Sequence, residues 1–508
     1  MNGQTLLFRM IIPANPGQDP AMRRSTSLGP IMIASAAAQT SGWEVEVIDE
    51  NNCHETCWSP RAADGGIDHQ WLQQQCPANI VGFAAGLTST IPRVYELAKL
   101  YRQAGAFTVA GSYHAKTLPE EMIKNNLDAV VMSIADAEAI IVRLLEEYKL
   151  LYDRPPTRLS DWDEYLAAVP GLMWQKNGDL TVTNPLGPMR PIETSEPEKC
   201  PKQLLPDFSL LRSARLKVFP IQWRRGCHRR CESCVVREKV DSARAEDLLA
   251  TVKHCFEKFQ ATRFFIVDDC FGGNLNLTNE RTELIEALRL LIDYQKEIGR
   301  RFEFTVQIGL DAIDNNEIIN LMRQAGITTV CISYQDLFSD EMQVMREKGY
   351  LHDPMLWMTK AWRQAGFSVQ AMYIFNYPEE TLRPQQDCGL SIKKQAIAIG
   401  KWFRQAGVNS LRVSLAVPLP GSDLRKRLEQ EGRLLPLKEI GWEYYDGRFP
   451  LYRPDDCYGY SPEELLEGLQ TIQDSFAGWA RFLRPSFYRR RPPTEFLAKL
   501  KRARESAH

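Results

Sequence analysis

The sequence has 508 residues, 44% of them hydrophobic, with 62 Lys plus Arg against 64 Asp plus Glu and a formal net charge of -2. That much apolar material supports sizeable cores and excludes a disordered or fibrous chain, and the length suggests about three domains. The balanced charge argues against a protein built mainly to bind nucleic acid.

In chain order, an α/β unit is expected over residues 1–150. Strands are predicted at Leu6–Ile12, Glu44–Ile48, Ile80–Ala84, Thr108–Val109 and Ala129–Met132, with helices at Gly29–Thr40, Ile91–Ala104 and Pro119–Asn125. The alternation implies a Rossmann-like, mostly parallel sheet covered by helices. Asp49–Glu50–Asn51–Asn52 follows a strand, where open sheets bind ligands, but reads equally as a solvent-facing turn. Neither a GxGxxG fingerprint nor a P-loop occurs. Residues 151–215 are rich in proline and read as an ordered connector.

A second α/β series is expected over residues 216–428. Strands are predicted at Lys217–Trp223, Arg263–Val267, Phe302–Gln307, Thr329–Ser333, Ser368–Phe375 and Leu411–Ala416, separated by helices that include Ser339–Glu347. Arg-Gln-Ala-Gly recurs, ending at Gly326, Gly366 and Gly407, each time before a strand. These glycines read as left-handed helix caps in a partial or full parallel barrel. The same phrase ends at Gly105 in the first unit, so it does not define a barrel alone. Residues 429–508 read as a small, mainly helical region. Ser461–Pro462–Glu463–Glu464 starts a helix whose apolar face is Leu465, Leu469, Ile472, Phe476 and Trp479.

Twelve cysteines over this length make no disulfide scaffold, but Cys227, Cys231 and Cys234 form C-x3-C-x2-C just after a predicted strand. A structural zinc site wants four protein ligands, and no fourth follows at finger spacing. Three thiolates instead suit a [4Fe–4S] cluster with one iron left open to a small molecule. The motif, with Arg225–Gly226 before it, resembles the cluster loop of the radical S-adenosylmethionine (SAM) superfamily; Ser233 stands where that family often has an aromatic residue. The resemblance implies a partial (β/α)6 barrel, SAM bound to the open iron, and a 5'-deoxyadenosyl radical. It implies cofactor contacts from Asp269 and then Asp268 after the second barrel strand and from Ser333 and Gln335 at the fourth, where Tyr334 stands between them, while Gln307, after the third, faces either cofactor or substrate. Asp269, Gln307 and Tyr334 are the expected catalytic residues. A bland alternative makes the two aspartates simple caps of the turn. Tyr373–Thr381 and Pro418–Leu419–Pro420–Gly421 resemble the exits of the fifth and sixth strands.

The order of segments resembles the subgroup that joins an N-terminal cobalamin-binding-like domain to this barrel. Leu28–Gly29–Pro30, Thr88–Ser89–Thr90 and Gly111–Ser112–Tyr113–His114–Ala115 align with its pattern. This implies cobalamin contacts from Thr88, Ser89, Gly111 and Ser112. No D-x-H-x-x-G occurs, so His114 is not named a cobalt ligand; Gly111–Ser112 replaces a common glycine pair. Cys53, His54 and Cys57 form a looser cluster that reads as a loop or, less readily, a metal site.

The resemblance implies C-methylation of an unactivated carbon on a hydrophobic, tetrapyrrole or lipid-like substrate, fed by a low-potential donor such as flavodoxin or ferredoxin. Oxidative cyclisation or another carbon–carbon bond-forming reaction without cobalamin is the alternative. No apolar stretch approaches the about 20 residues that span a bilayer, and the Leu6–Ile12 run lacks the flanks of a secretory signal. A soluble, cytoplasmic protein is expected. Nine basic residues between Arg481 and Arg504, interleaved with aromatics, add peripheral membrane contact as an expectation.

Overall fold

Contiguous apolar runs become buried parallel strands, as expected where helices cover both faces of a sheet. The computed structural model describes residues 5–15, 24–52, 62, 66–153, 160–176, 178–182, 204–212, 214–238, 240–241, 243–334, 354–378, 391–453, 461–478 and 494–505. They divide into two compact units, residues 1–220 with 253–261, and residues 221–252 with 262–508.

The first unit carries a seven-stranded sheet of β1 (Leu6–Ile12), β2 (Trp43–Asp49), β3 (Ile80–Ala84), β4 (Phe107–Gly111), β5 (Ala129–Val131), β6 (Leu172–Lys176) and β7 (Asp179–Val182), in the order β2-β1-β3-β4-β5-β6-β7. Strands β1 to β5 pair in parallel in the doubly wound order 2-1-3-4-5, whose direction reverses between β1 and β3. The sheet is mixed rather than purely parallel, because β6 and β7 pair antiparallel at one edge. Both lie in the stretch expected as a connector, which also contributes the helix Ser160–Ala167.

Every residue of β1 is buried, including Arg9 at 0% exposure. Its guanidinium donates to Glu46 Oε1 at 2.6 Å, Gln73 Oε1 at 2.8 Å and the Cys76 carbonyl at 2.6 Å. A buried charge persists only with such partners.

The second unit's sheet comprises β8 (Phe219–Ile221), β9 (Arg263–Ile266), β10 (Glu303–Gln307), β11 (Ile327–Tyr334), β12 (Ser368–Phe375) and β13 (Ser410–Leu415), paired in sequence order. From β9 onward the pairs are parallel, giving an α/β partial barrel followed by helices. Alternate residues Phe304, Val306, Val330, Tyr373 and Val413 are buried on the helical side. The repeated cap glycines Gly105, Gly326, Gly366 and Gly407 have φ between +81° and +92°, the left-handed turn expected of them. Ser461 and Glu464 form a reciprocal capping box at the start of Pro462–Ala477. That helix lies on Ile392–Gln405, where a Cβ on Gly400 would meet the Ile472 carbonyl at 2.5 Å. Its apolar face therefore covers the barrel's own helical layer.

Candidate functional site

The cysteine loop leaves the carboxyl end of β8. Gly226, at φ +88°, turns the chain just before Cys227, and its N–H donates to the Asp269 carboxylate beyond β9. The Cys227 N–H donates to the Glu238 carbonyl at 3.2 Å, and the Cys234 N–H to the Cys231 carbonyl at 3.1 Å. Two sulfurs already accept backbone bonds, Cys227 Sγ from Arg229 N and Cys234 Sγ from Val236 N, each at 3.4 Å. Such N–H···S contacts tune thiolate-held clusters. A cavity of about 230 Å³ opens beside Cys227, lined by His228, Arg229, Arg237, Glu238 and Glu280 among others. Among the described residues, no three His, Cys, Asp or Glu side chains are grouped closely enough to hold a metal ion. The donor chemistry fits a cluster nonetheless: three thiols on one loop, two with N–H donors already aimed at sulfur.

An anchor that the sequence reading missed sits inside the motif. Glu232 takes Arg427 Nε at 2.6 Å and Nη2 at 3.1 Å, and accepts from the Tyr377 hydroxyl at 2.8 Å. Its carbonyl accepts from Leu424 N at 3.1 Å. The fork ties the loop to the exit of β13, and Arg427 also reaches the Pro378 carbonyl at 2.6 Å. The only sequence signal was an acid between two motif cysteines.

The expected cofactor contacts separate once strand alternation is followed. Asp269 remains accessible, with burial as the first cause holding its carboxyl above the usual range. Asp268 is corrected. It is 1% exposed, and its Oδ1 accepts from Trp223 N at 2.8 Å, clasping the exit of β8 to that of β9. Burial pushes its carboxyl up to about 7 against those backbone donors, and its Oδ2 has no hydrogen-bond partner among the described residues. Gln307 donates to the Asp268 carbonyl at 3.1 Å and so fixes the same turn. Ser333 is exposed on the face away from the helices. Tyr334 is also corrected: its hydroxyl pairs with Thr359 at 2.9 Å, and its ring packs on Trp402 and Phe403. It turns into the helical layer, because neighbouring residues on a strand face opposite ways. Gln335 lies outside the described residues, as do Thr381, Cys53, His54, Cys57, the Ser339–Glu347 helix and most of the basic segment from Arg481.

In the first unit the four expected cobalamin contacts come together. Gly111 ends β4 in register with Ala84 of β3, and the buried Thr88 and Ser89 form a turn just after β3. The Gly111 carbonyl accepts from Ala85 N at 3.0 Å, and His114 Nδ1 lies 3.3 Å from Thr88 Oγ1. His114 is 2% exposed and helps hold these loops. Ser112 has φ +91° and ψ -176°, a conformation suited to the glycine it replaces. A Cβ on Gly86 would meet Ser112 Oγ at 2.7 Å, so the two loops nearly touch. Leu87, next to Gly86, is 57% exposed. An exposed leucine beside small residues and hydroxyls fits a large ring with an apolar face and polar edge groups.

The Asp49–Asn52 edge is committed to the protein. Asp49 accepts from Thr26 Oγ1 at 2.7 Å. Glu50 accepts from Ala14 N at 2.8 Å and Arg93 Nη2 at 2.6 Å. Asn51 bonds the Pro13 carbonyl and Asn15 N. These contacts hold the chain after β1 in place. Trp442, Tyr444 and Tyr445 are buried too, Tyr444 against Phe449 and Phe496, so they seal the C-terminal helices. Among the described residues, no helix is long and apolar enough to cross a membrane.

No protein-family model matches the sequence. The chain is 21% identical over 272 residues to the hopanoid C-2 methylase of Rhodopseudomonas palustris (strain TIE-1), covering 52% of this chain and 48% of that protein. It is 23% identical over 279 residues to an uncharacterized methyltransferase of Synechocystis, covering 50% and 48%. It thus spans about half the length of the curated relatives it matches. In structure it resembles apo OxsB, a cobalamin-dependent SAM radical enzyme, with TM-score 0.58 at 11% identity over 99% of this chain and 71% of that one. OxsB with aqua-cobalamin and SAM bound matches at TM-score 0.50 and 12% identity, over 93% and 56%. In fold, the chain is like OxsB: an α/β domain with a mixed, mainly parallel sheet, followed by a parallel partial barrel and a helical C-terminal region.

Proposed function

We propose that this chain is a radical SAM enzyme that methylates an unactivated carbon of a hydrophobic, lipid-like substrate with the help of cobalamin. The observation that carries the reading is the loop bearing Cys227, Cys231 and Cys234, tied through Gly226 N–H to Asp269 in a barrel of this fold. The sequence likeness to two methyltransferases, one a hopanoid C-2 methylase, favours methyl transfer and a lipid-like substrate.

When bound, the cluster and SAM supply a carbon-centred radical and cobalamin supplies a methyl carrier, chemistry that side chains lack. The protein's part is to hold and orient. Cys227, Cys231 and Cys234 would hold the cluster, kept in register by Glu232 and Arg427. Asp269 offers a carboxylate oxygen beside that loop for an ammonium group, and Gln307 keeps its turn in place. Ser333 offers a hydroxyl on the open barrel face. In the first unit Leu87, Thr88, Ser89 and the Gly111–Ser112 backbone would hold the corrinoid, Leu87 by apolar contact and the others by polar contact.

The test is anaerobic reconstitution with iron and sulfide, then metal analysis and identification of bound corrinoid by absorbance and mass spectrometry. Iron near four per chain is expected, lost in each of C227S, C231S and C234S, with corrinoid near one per chain. A loaded cluster with no corrinoid after incubation with hydroxocobalamin would overturn the methyl-transfer reading and leave cobalamin-free radical chemistry. Failure to load iron would overturn the radical SAM reading itself.

A further inference from the structure

The face of the second sheet that turns away from the helices can be followed level by level through the strand registers. At its amino end Arg263 and Glu303 neutralise one another at 3.0 Å. The next levels are neutral: Thr305, then Gln307 beside Cys331 beside Gln370, with the Cys331 thiol donating to Gln370 Oε1 at 3.5 Å. One pleat nearer the carboxyl end, Ser333 lies beside Met372 and Met372 beside Arg412.

Arg412 stands apart from the other arginines of this region. Arg425, Arg427, Arg433 and Arg448 each have a carboxylate, from Glu429, Glu232, Glu431 and Asp446 respectively. Arg412 is exposed and forms no ion pair with any carboxylate among the described residues. Apart from Glu303, the described strand residues of this face include no acid. A cation without a counter-charge, on the open face of the sheet and beside Met372, suits an amphipathic ligand. Its planar fork matches a carboxylate or phosphate, and the neighbouring Met372 offers apolar contact.

We propose that Arg412 is the recognition residue for an anionic group, carboxylate or phosphate, on the substrate. This deepens the proposed function and rests on it for the identity of the barrel face as the substrate side. The anion has two conceivable sources, the substrate and the carboxylate of SAM, and the experiment separates them.

Full-length wild type, R412Q and R412K are titrated calorimetrically with inorganic phosphate, with octanoate and with its neutral methyl ester. Reconstituted protein is titrated separately with SAM. The expected result is binding of octanoate or phosphate that R412Q weakens by about tenfold or more and R412K by less, as for loss of a charge-assisted hydrogen bond. Affinities for the ester and for SAM should stay within about twofold. Equal anion binding by wild type and R412Q, or none by wild type, would overturn the proposal. So would a loss of SAM affinity that tracks the loss of anion binding, which assigns Arg412 to the cofactor. The anion arm needs no cluster, so its failure leaves the radical SAM reading standing, and a chain that fails to load iron can still pass it. Equal urea midpoints for the three proteins would exclude unfolding as the cause.

Discussion

Replacing Ser112 with glycine should stabilise the first unit, although it removes a side chain. At φ +91° and ψ -176° the serine occupies backbone space essentially reserved for glycine, at a cost of about 1–3 kcal/mol. Glycine's extra freedom in the unfolded chain returns about 0.5–1 kcal/mol of that, leaving a net gain of about 0.5–2 kcal/mol. The neighbouring loop provides a cross-check. A Cβ at Gly86 would come within 2.7 Å of Ser112 Oγ, so G86A overpacks the wild type by about 1–3 kcal/mol. In the S112G background that atom is gone, and the double-mutant cycle should show a coupling of about 1 kcal/mol or more. Hydrogen exchange reads this locally, because the Ala85 amide bonds the Gly111 carbonyl at 3.0 Å and spans the two loops. Slower exchange of that amide in S112G is expected, with a smaller penalty for G86A in S112G than in wild type. Faster exchange in S112G, or the same penalty in both backgrounds, would refute the reasoning.

Asp268 should leave a signature in the pH dependence of stability. Its folded pKa, near 7, lies above the ordinary 3.8, so the folded state holds the proton more tightly and stability falls as pH rises through that window. Relative to D268N, apo wild type should lose about 2–3 kcal/mol between pH 5 and pH 8 by urea denaturation; parallel pH profiles would sink the assignment. Y334F should lower stability by about 1 kcal/mol through the lost contact with Thr359, and leave SAM cleavage unchanged. A large drop in cleavage at unchanged stability would return Tyr334 to the active site.

The buried parallel strands were the most legible elements. Leu6–Ile12, Ile80–Ala84 and Ser368–Phe375 fall where the apolar runs place them, because such strands are predominantly apolar. The edge hairpin of β6 and β7 was not read, since surrounding prolines outweighed its local pattern. Asn177–Gly178 between the two strands was the available signal, a pair suited to a two-residue turn. In the candidate site, spacing alone singles out the three cysteines. Which strand-end residues face the open side depends on register and alternation. That dependence moved Asp268 and Tyr334 into supporting positions and brought Arg412 into view. Glu232 was invisible for another reason: its partner Arg427 is 195 residues away in sequence.

The first unit is completed by a piece of chain that comes late. Residues 253–261 belong to it, with Phe259 packed on Phe208 and Phe219, His254 on the Pro206 carbonyl and Lys258 paired with Asp207 at 2.8 Å. During synthesis, residues 1–220 must therefore wait for about 40 more residues, roughly 2–8 s at ordinary elongation rates, with Phe208 and Phe219 lacking that partner. The cysteine loop emerges within the same interval. A fragment cut after residue 220 keeps those two rings uncovered permanently, so aggregation on expression is the expected fate of that fragment, and a cut beyond residue 261 the better design.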